Sequence, residues 1–118
     1  MGILTTITVS IVIVLHILFL VLEMFLWNTT YGRKTFGLDE DYARRSAPLA
    51  ANQGLYNGFL AAGLLWGLVS TGGHDALVFF LSCVIIAGIY GAITAKRSIL
   101  WLQAFPAAIA LASLIFNI

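Results

Sequence analysis

Four apolar runs, each close to the length of a membrane span, take up almost the whole chain. They cover residues 3–27, 48–70, 76–95 and 99–117, and a helix needs about 20 apolar residues to cross the hydrocarbon of a bilayer. Of the 118 residues, 61% are hydrophobic and 9% charged, against about 45–50% and 25% in an ordinary soluble domain. A small soluble domain buries too little of its surface to hide such an excess, and disorder requires the opposite composition. The fold class that follows is all-α: a polytopic membrane protein forming a single four-helix transmembrane bundle over residues 1–118, with a polar connector at 28–47.

Local signals punctuate the runs. The first lacks a basic leader, is too long for a signal peptide core and is followed by no small-residue cleavage site, so it reads as a retained helix. Pro48 suits the first turn of the second helix. Thr71-Gly72-Gly73 breaks the pattern before the third. Pro106 should kink the fourth helix or remove one backbone hydrogen bond. Asp39 is placed to cap a short helix within the connector, with acids at its start and bases at its end.

The charges set an orientation. All six basic residues lie in two of the three inter-run segments: Arg33, Lys34, Arg44 and Arg45 in the first, and Lys96 and Arg97 in the third. The positive-inside rule puts those segments in the cytoplasm and both chain ends outside a bacterial cytoplasmic membrane. A net charge of +1 gives no electrostatic case for nucleic acid as a partner. Cys83 reads as a small packing residue. His74-Asp75 has no third ligand beside it, so neither a metal site nor a cofactor is expected. Met1–Thr6 and Asn28-Thr29-Thr30 match acylation and glycosylation patterns, but on the wrong sides of the membrane for either. Trp27, Tyr31 and Trp101 fall at the cytoplasmic edge, where aromatic anchors gather.

Polar groups inside the runs carry the functional reading, because an ionisable side chain in hydrocarbon is costly unless paired or turned toward a cavity. Glu23 is the foremost case, about one turn inside the cytoplasmic edge, and His16 lies on nearly the same face about 10 Å deeper. The second run brings Asn52, Gln53, Tyr56 and Asn57 to the depth of Glu23, within an arc of about 140°. Tyr90 and Thr94 close the third run, and Gln103 opens the fourth. A cytoplasm-side polar pocket built from these nine residues is the expectation. The bland alternative is that Asn, Gln, Thr and Tyr only join helices, each contributing about 0.6 kcal/mol. Gly54/Gly58 and Gly63/Gly67 have the spacing that lets helices approach closely. They lie on different faces, one suited to packing within the bundle and the other to packing between subunits of a homo-oligomer.

His16, Glu23, the block Leu49–Gly63, Ala87-Gly-Ile-Tyr-Gly91 with Thr94, and Gln103-Ala-Phe-Pro-Ala107 together resemble a family of small bacterial four-helix integral membrane proteins, the domain of unknown function 1304 family. The resemblance covers almost the whole chain and implies the same topology; it implies no activity. Three functions remain open on the residues alone. One is a pocket for a small polar or amphiphilic ligand or a proton. Another is a membrane enzyme on a lipophilic substrate, with Glu23 and His16 as acid and base. The third is a structural or regulatory subunit of a larger membrane complex. No hydrolase, metalloprotease, nucleotide-loop or dithiol signature is present.

Overall fold

The computed structural model describes residues 1–118. Five α-helices and one π-helical turn make up the chain, without strands: α1 (Ile3–Met24), α2 (Thr30–Phe36), α3 (Glu40–Val69), α4 (His74–Thr94), the π turn (Leu100–Ala104) and α5 (Phe105–Ile115). Two of them, α1 and α4, are long and apolar enough to cross a membrane, while Leu100–Ile115 is a shorter apolar stretch. The chain divides into two compact units, residues 1–15 with 60–118, and residues 16–59.

The helix boundaries depart from the hydropathy runs in three places, each for a local reason. The first helix ends at Met24 rather than at Trp27. The third begins at Glu40, eight residues before Pro48, which lies inside it. Asp39 starts it early, because its carboxylate accepts the Tyr42 N–H at 2.7 Å and Glu40 and Asp41 stand in the first turn, where acids offset the helix dipole. The cap foreseen at Asp39 therefore serves the long helix, and the 28–47 connector is mostly helical. The last run is divided. Pro106 has no N–H to donate to the carbonyl four residues back, and the turn ahead of it is widened, with the Phe105 N–H reaching the Leu100 carbonyl. A π turn re-pairs backbone groups that an interior proline would strand.

In the larger unit, α1, α3, α4 and α5 contribute to one apolar core of Val9, Val12, Ile13, Ala61, Leu64, Leu77, Leu81, Val84, Ala107, Ala110 and Leu114. Small residues set the spacing around it. Gly63 lies under the Phe80 ring and Gly67 against Leu77, while Gly88 meets the backbone of Ala104. The Leu4 N–H, left without a partner at the start of α1, donates to the Ile118 carbonyl at 2.9 Å. Thr5, fully buried, has no hydrogen-bond partner for its hydroxyl.

In the smaller unit, Gly54 and Gly58 receive α1: a Cβ on Gly54 would meet Met24 and Glu23, and one on Gly58 would meet Leu20. Both glycine pairs thus pack against helices of the same chain. Gly54 and Gly58 take α1, and Gly63 and Gly67 take α4.

Candidate functional site

The connector that leads into the site is folded residue by residue. Thr29 caps α2, its hydroxyl accepting the Gly32 N–H at 3.1 Å and donating to the Leu26 carbonyl at 2.6 Å. Arg33 then reaches back to the Asn28 side chain at 3.0 Å. The Asn28-Thr29-Thr30 match to a glycosylation pattern is therefore a capping motif. Gly37 ends α2 in the left-handed region, at φ 66°, which a residue with a Cβ enters only at a cost. Asp41 accepts from Arg44 and Arg45. These groups are exposed, where such ion pairs add little stability. The Trp27 indole N–H donates to the Ser46 hydroxyl at 3.0 Å, and its ring packs on Phe36 at 4.9 Å. Trp27 thus clasps the segment after α1 to the start of α3. Hydropathy carried no signal for Ser46 or Phe36; only the polar nitrogen of a tryptophan seeking a partner could have suggested one.

Four residues before Trp27 on the chain, Glu23 forms the pair on which the site rests. The absence of a side chain at Gly54 brings the α1 backbone close enough for Glu23 to reach the next turn of α3. There the Asn57 side-chain N–H donates to Glu23 Oε1 at 2.5 Å. Asn57 is almost wholly buried, at 4% exposure; Glu23 is half-buried. No lysine, arginine or histidine nitrogen pairs with the Glu23 carboxylate. The contact joins an acceptor with full or partial charge to a neutral donor across two helices, which can hold a carboxyl in one orientation without neutralising it.

The other sequence candidates are placed as follows. His16 is fully buried, with its ring edge-on to Phe19 at 5.4 Å. It stands seven residues from Glu23 on α1, about 10 Å along the axis. Asn52, Gln53 and Tyr56 lie on the exposed side of α3, and the Tyr56 ring meets Phe59 edge-on at 5.7 Å. With Glu23 and Asn57, the candidates His16, Asn52, Gln53 and Tyr56 belong to the smaller unit, and Tyr90, Thr94 and Gln103 to the larger. Tyr90 and Thr94 are exposed near the end of α4, where the Thr94 hydroxyl donates to the Tyr90 carbonyl at 2.7 Å. Gln103 is half-buried within the π turn. The structure therefore brings Glu23 and Asn57 into direct contact, and sets Gln53 and Tyr56 on adjacent turns of α3.

Residues 10–115 match the family described as "Protein of unknown function (DUF1304)". The chain is also 28% identical over 115 residues to the uncharacterized protein YpaA of Lactococcus lactis subsp. lactis (strain IL1403). That alignment takes in 94% of this chain and 97% of the relative. No solved structure matches the chain significantly.

Proposed function

The chain belongs to the DUF1304 family of proteins of unknown function, and from that premise we propose a multi-pass protein of the bacterial cytoplasmic membrane that binds or passes a small polar or amphiphilic ligand, or a proton, at a site around Glu23 and Asn57. Four spans, cytoplasmic placement of residues 28–47 and 96–98, extracytoplasmic ends and assembly as a homo-oligomer complete the proposal.

Exposure supports the membrane. The core helix of a soluble protein is mostly buried, yet only 28% of the apolar window of α1 and 22% of that of α4 are buried within the chain. Ile3, Ile7, Ile11, Val14 and Leu18 form an outward stripe on α1, and Phe79, Ile86, Ile89 and Ile93 lie exposed along α4. Contiguous apolar surface of that kind suits lipid or another subunit. The basic residues support the orientation, since all six fall in the two segments placed inside.

The observation that carries the site is the hydrogen bond from Asn57 to Glu23. Gluing α1 to α3 would need only a neutral amide pair, and a carboxyl there adds a desolvation cost that structure alone does not require. The exposed Asn52, Gln53 and Tyr56 nearby extend the polar surface toward a ligand or a second copy.

The test uses the full chain in lipid nanodiscs, with thermal unfolding followed across a panel of amphiphiles and metabolites. At least one should stabilise the wild-type protein, and Glu23→Gln should abolish that stabilisation while leaving subunit assembly unchanged. Equal responses of the two proteins to every compound would remove the site. A cytoplasmic signal from reporter fusions at either end would remove its placement.

A further inference from the structure

Resting on the homo-oligomer proposed above, we infer that two copies of the chain pair through the face of α3 that carries Leu49, Asn52, Tyr56 and Phe59. The copies run parallel, with a two-fold axis along the bilayer normal, and Asn52 of each hydrogen-bonds Asn52 of the other.

Asn52 and Gln53 are exposed, as is Tyr56 at 53%, and no hydrogen bond within the chain engages the polar end of any of them. No charged group is near them in sequence: residues 46–73 contain no acidic, basic or histidine side chain. Ser46 is tied to Trp27, which the orientation proposed above sets at the cytoplasmic edge. Asn52 stands six residues further along α3, about 9 Å deeper. Hydrocarbon offers an amide neither donor nor acceptor, so the group is costly there until another protein group meets it. The outward stripes of α1 and α4 described above are themselves hydrocarbon, and lipid suffices for them.

The spacing calls for a helix. Leu49, Asn52, Tyr56 and Phe59 follow one another at intervals of three, four and three residues, the seam of a left-handed helix pair. At 100° per residue they fall within about 80° of one another. Asn57, which holds Glu23, lies about 80–160° round the helix from them. Gly54 and Gly58 receive α1 on another side, so the chain's own packing leaves this face uncovered, with Leu49 76% and Phe59 54% exposed.

The helix it calls for is its own copy, because the face is complementary to itself. A primary amide both donates and accepts, as does a phenol, so two asparagines brought together satisfy each other. A two-fold axis along the bilayer normal sets each residue against its counterpart at the same depth. With no charge in residues 46–73, no like-charge repulsion opposes that meeting. One asparagine in an apolar seam also fixes the register of the pair.

Pairing is measured on the purified full chain in phosphatidylcholine vesicles, by energy transfer between donor- and acceptor-labelled copies as lipid dilutes them. Asn52→Leu removes the amide and no contact within the chain. It should weaken pairing about 3- to 30-fold, the range of one hydrogen bond between membrane helices, and Asn52→Gln should retain more. Equal pairing of the wild-type protein and Asn52→Leu overturns the inference. A second readout keeps Asn52 in place. In a Cys83→Ser background, Leu49→Cys, Tyr56→Cys and Phe59→Cys should each trap disulfide dimers on oxidation, while Val14→Cys on α1 and Ile86→Cys on α4 should not. Trapping through Val14→Cys or Ile86→Cys as efficient as through α3 overturns the inference and leaves the homo-oligomer standing. Trapping in cell membranes only to a different protein overturns it in favour of that partner. Random energy transfer at every dilution, with no trapping at any position, overturns both the inference and the homo-oligomer.

Discussion

Replacing Gly88 by alanine tests how closely α4 is packed on the segment that opens the last helix. A Cβ at Gly88 would stand 2.6 Å from the Ala104 backbone nitrogen, 2.7 Å from its Cβ and 2.9 Å from its Cα. None of these atoms is the free end of a flexible side chain, so the methyl group is housed only by moving backbone. Overpacking of this kind costs about 1–3 kcal/mol, while alanine in place of glycine in a helix returns about 1 kcal/mol. The expected outcome is a net loss of up to about 2 kcal/mol. Gly58→Ala is the matched control. Its Cβ would meet only the Leu20 side chain, Cδ1 at 2.6 Å and Cγ at 3.9 Å, and a rotamer change clears it. Helix propensity then makes that variant neutral or more stable by up to about 1 kcal/mol. Both are measured by reversible unfolding of the full chain in mixed micelles with increasing dodecyl sulfate, followed by circular dichroism. Gly88→Ala at or above wild-type stability, or Gly58→Ala below Gly88→Ala, would refute the reasoning from backbone contact.

The clasp between Trp27 and Ser46 should behave as a unit. Trp27→Phe and Ser46→Ala each lose about 1 kcal/mol in the same assay, and the double variant should lose clearly less than their sum; full additivity would mean that the 3.0 Å hydrogen bond contributes nothing. Gly37 has φ 66° and no atom within 4 Å of where a Cβ would stand, so Gly37→Ala should cost about 1–2 kcal/mol from backbone strain alone. Gly37→Asn should cost less, and a thermal melt that ranks the two the other way round would contradict the left-handed end of α2.

Glu23, Asn57 and the glycines were legible in the sequence because each broke a hydrophobic pattern at a position where breaking it is expensive. Helical periodicity alone put Glu23 and Asn57 at one depth, and the hydrogen bond between them is the direct outcome. The early start of α3 was not legible, because hydropathy marks where lipid would begin and a helix has no need to begin there. Glu40–Ala47 is helical through its cap and its charges, neither of which raises hydropathy. The π turn at Leu100–Ala104 was half legible. Pro106 announced a disturbed backbone bond, but not that the turn ahead of it would widen, nor that Gly88 would pack against Ala104 there. That contact lies 16 residues apart in the chain, beyond the reach of any local pattern. The exposed positions of Asn52, Gln53 and Tyr56 were hidden for a related reason: an arc on a helix wheel gives an angle, and only packing says which part of that angle a neighbour covers.

The bond from the Leu4 N–H to the Ile118 carbonyl bears on counting as well as on capping. Two residues held 2.9 Å apart share one side of any bilayer the chain traverses, so the number of traverses between them is even. The two helices that are apolar enough by themselves and the proposed four spans both satisfy that parity; three do not. A tag at either end therefore reports the compartment of the other. A pair of tags that lit opposite compartments would require this bond to be broken in the membrane.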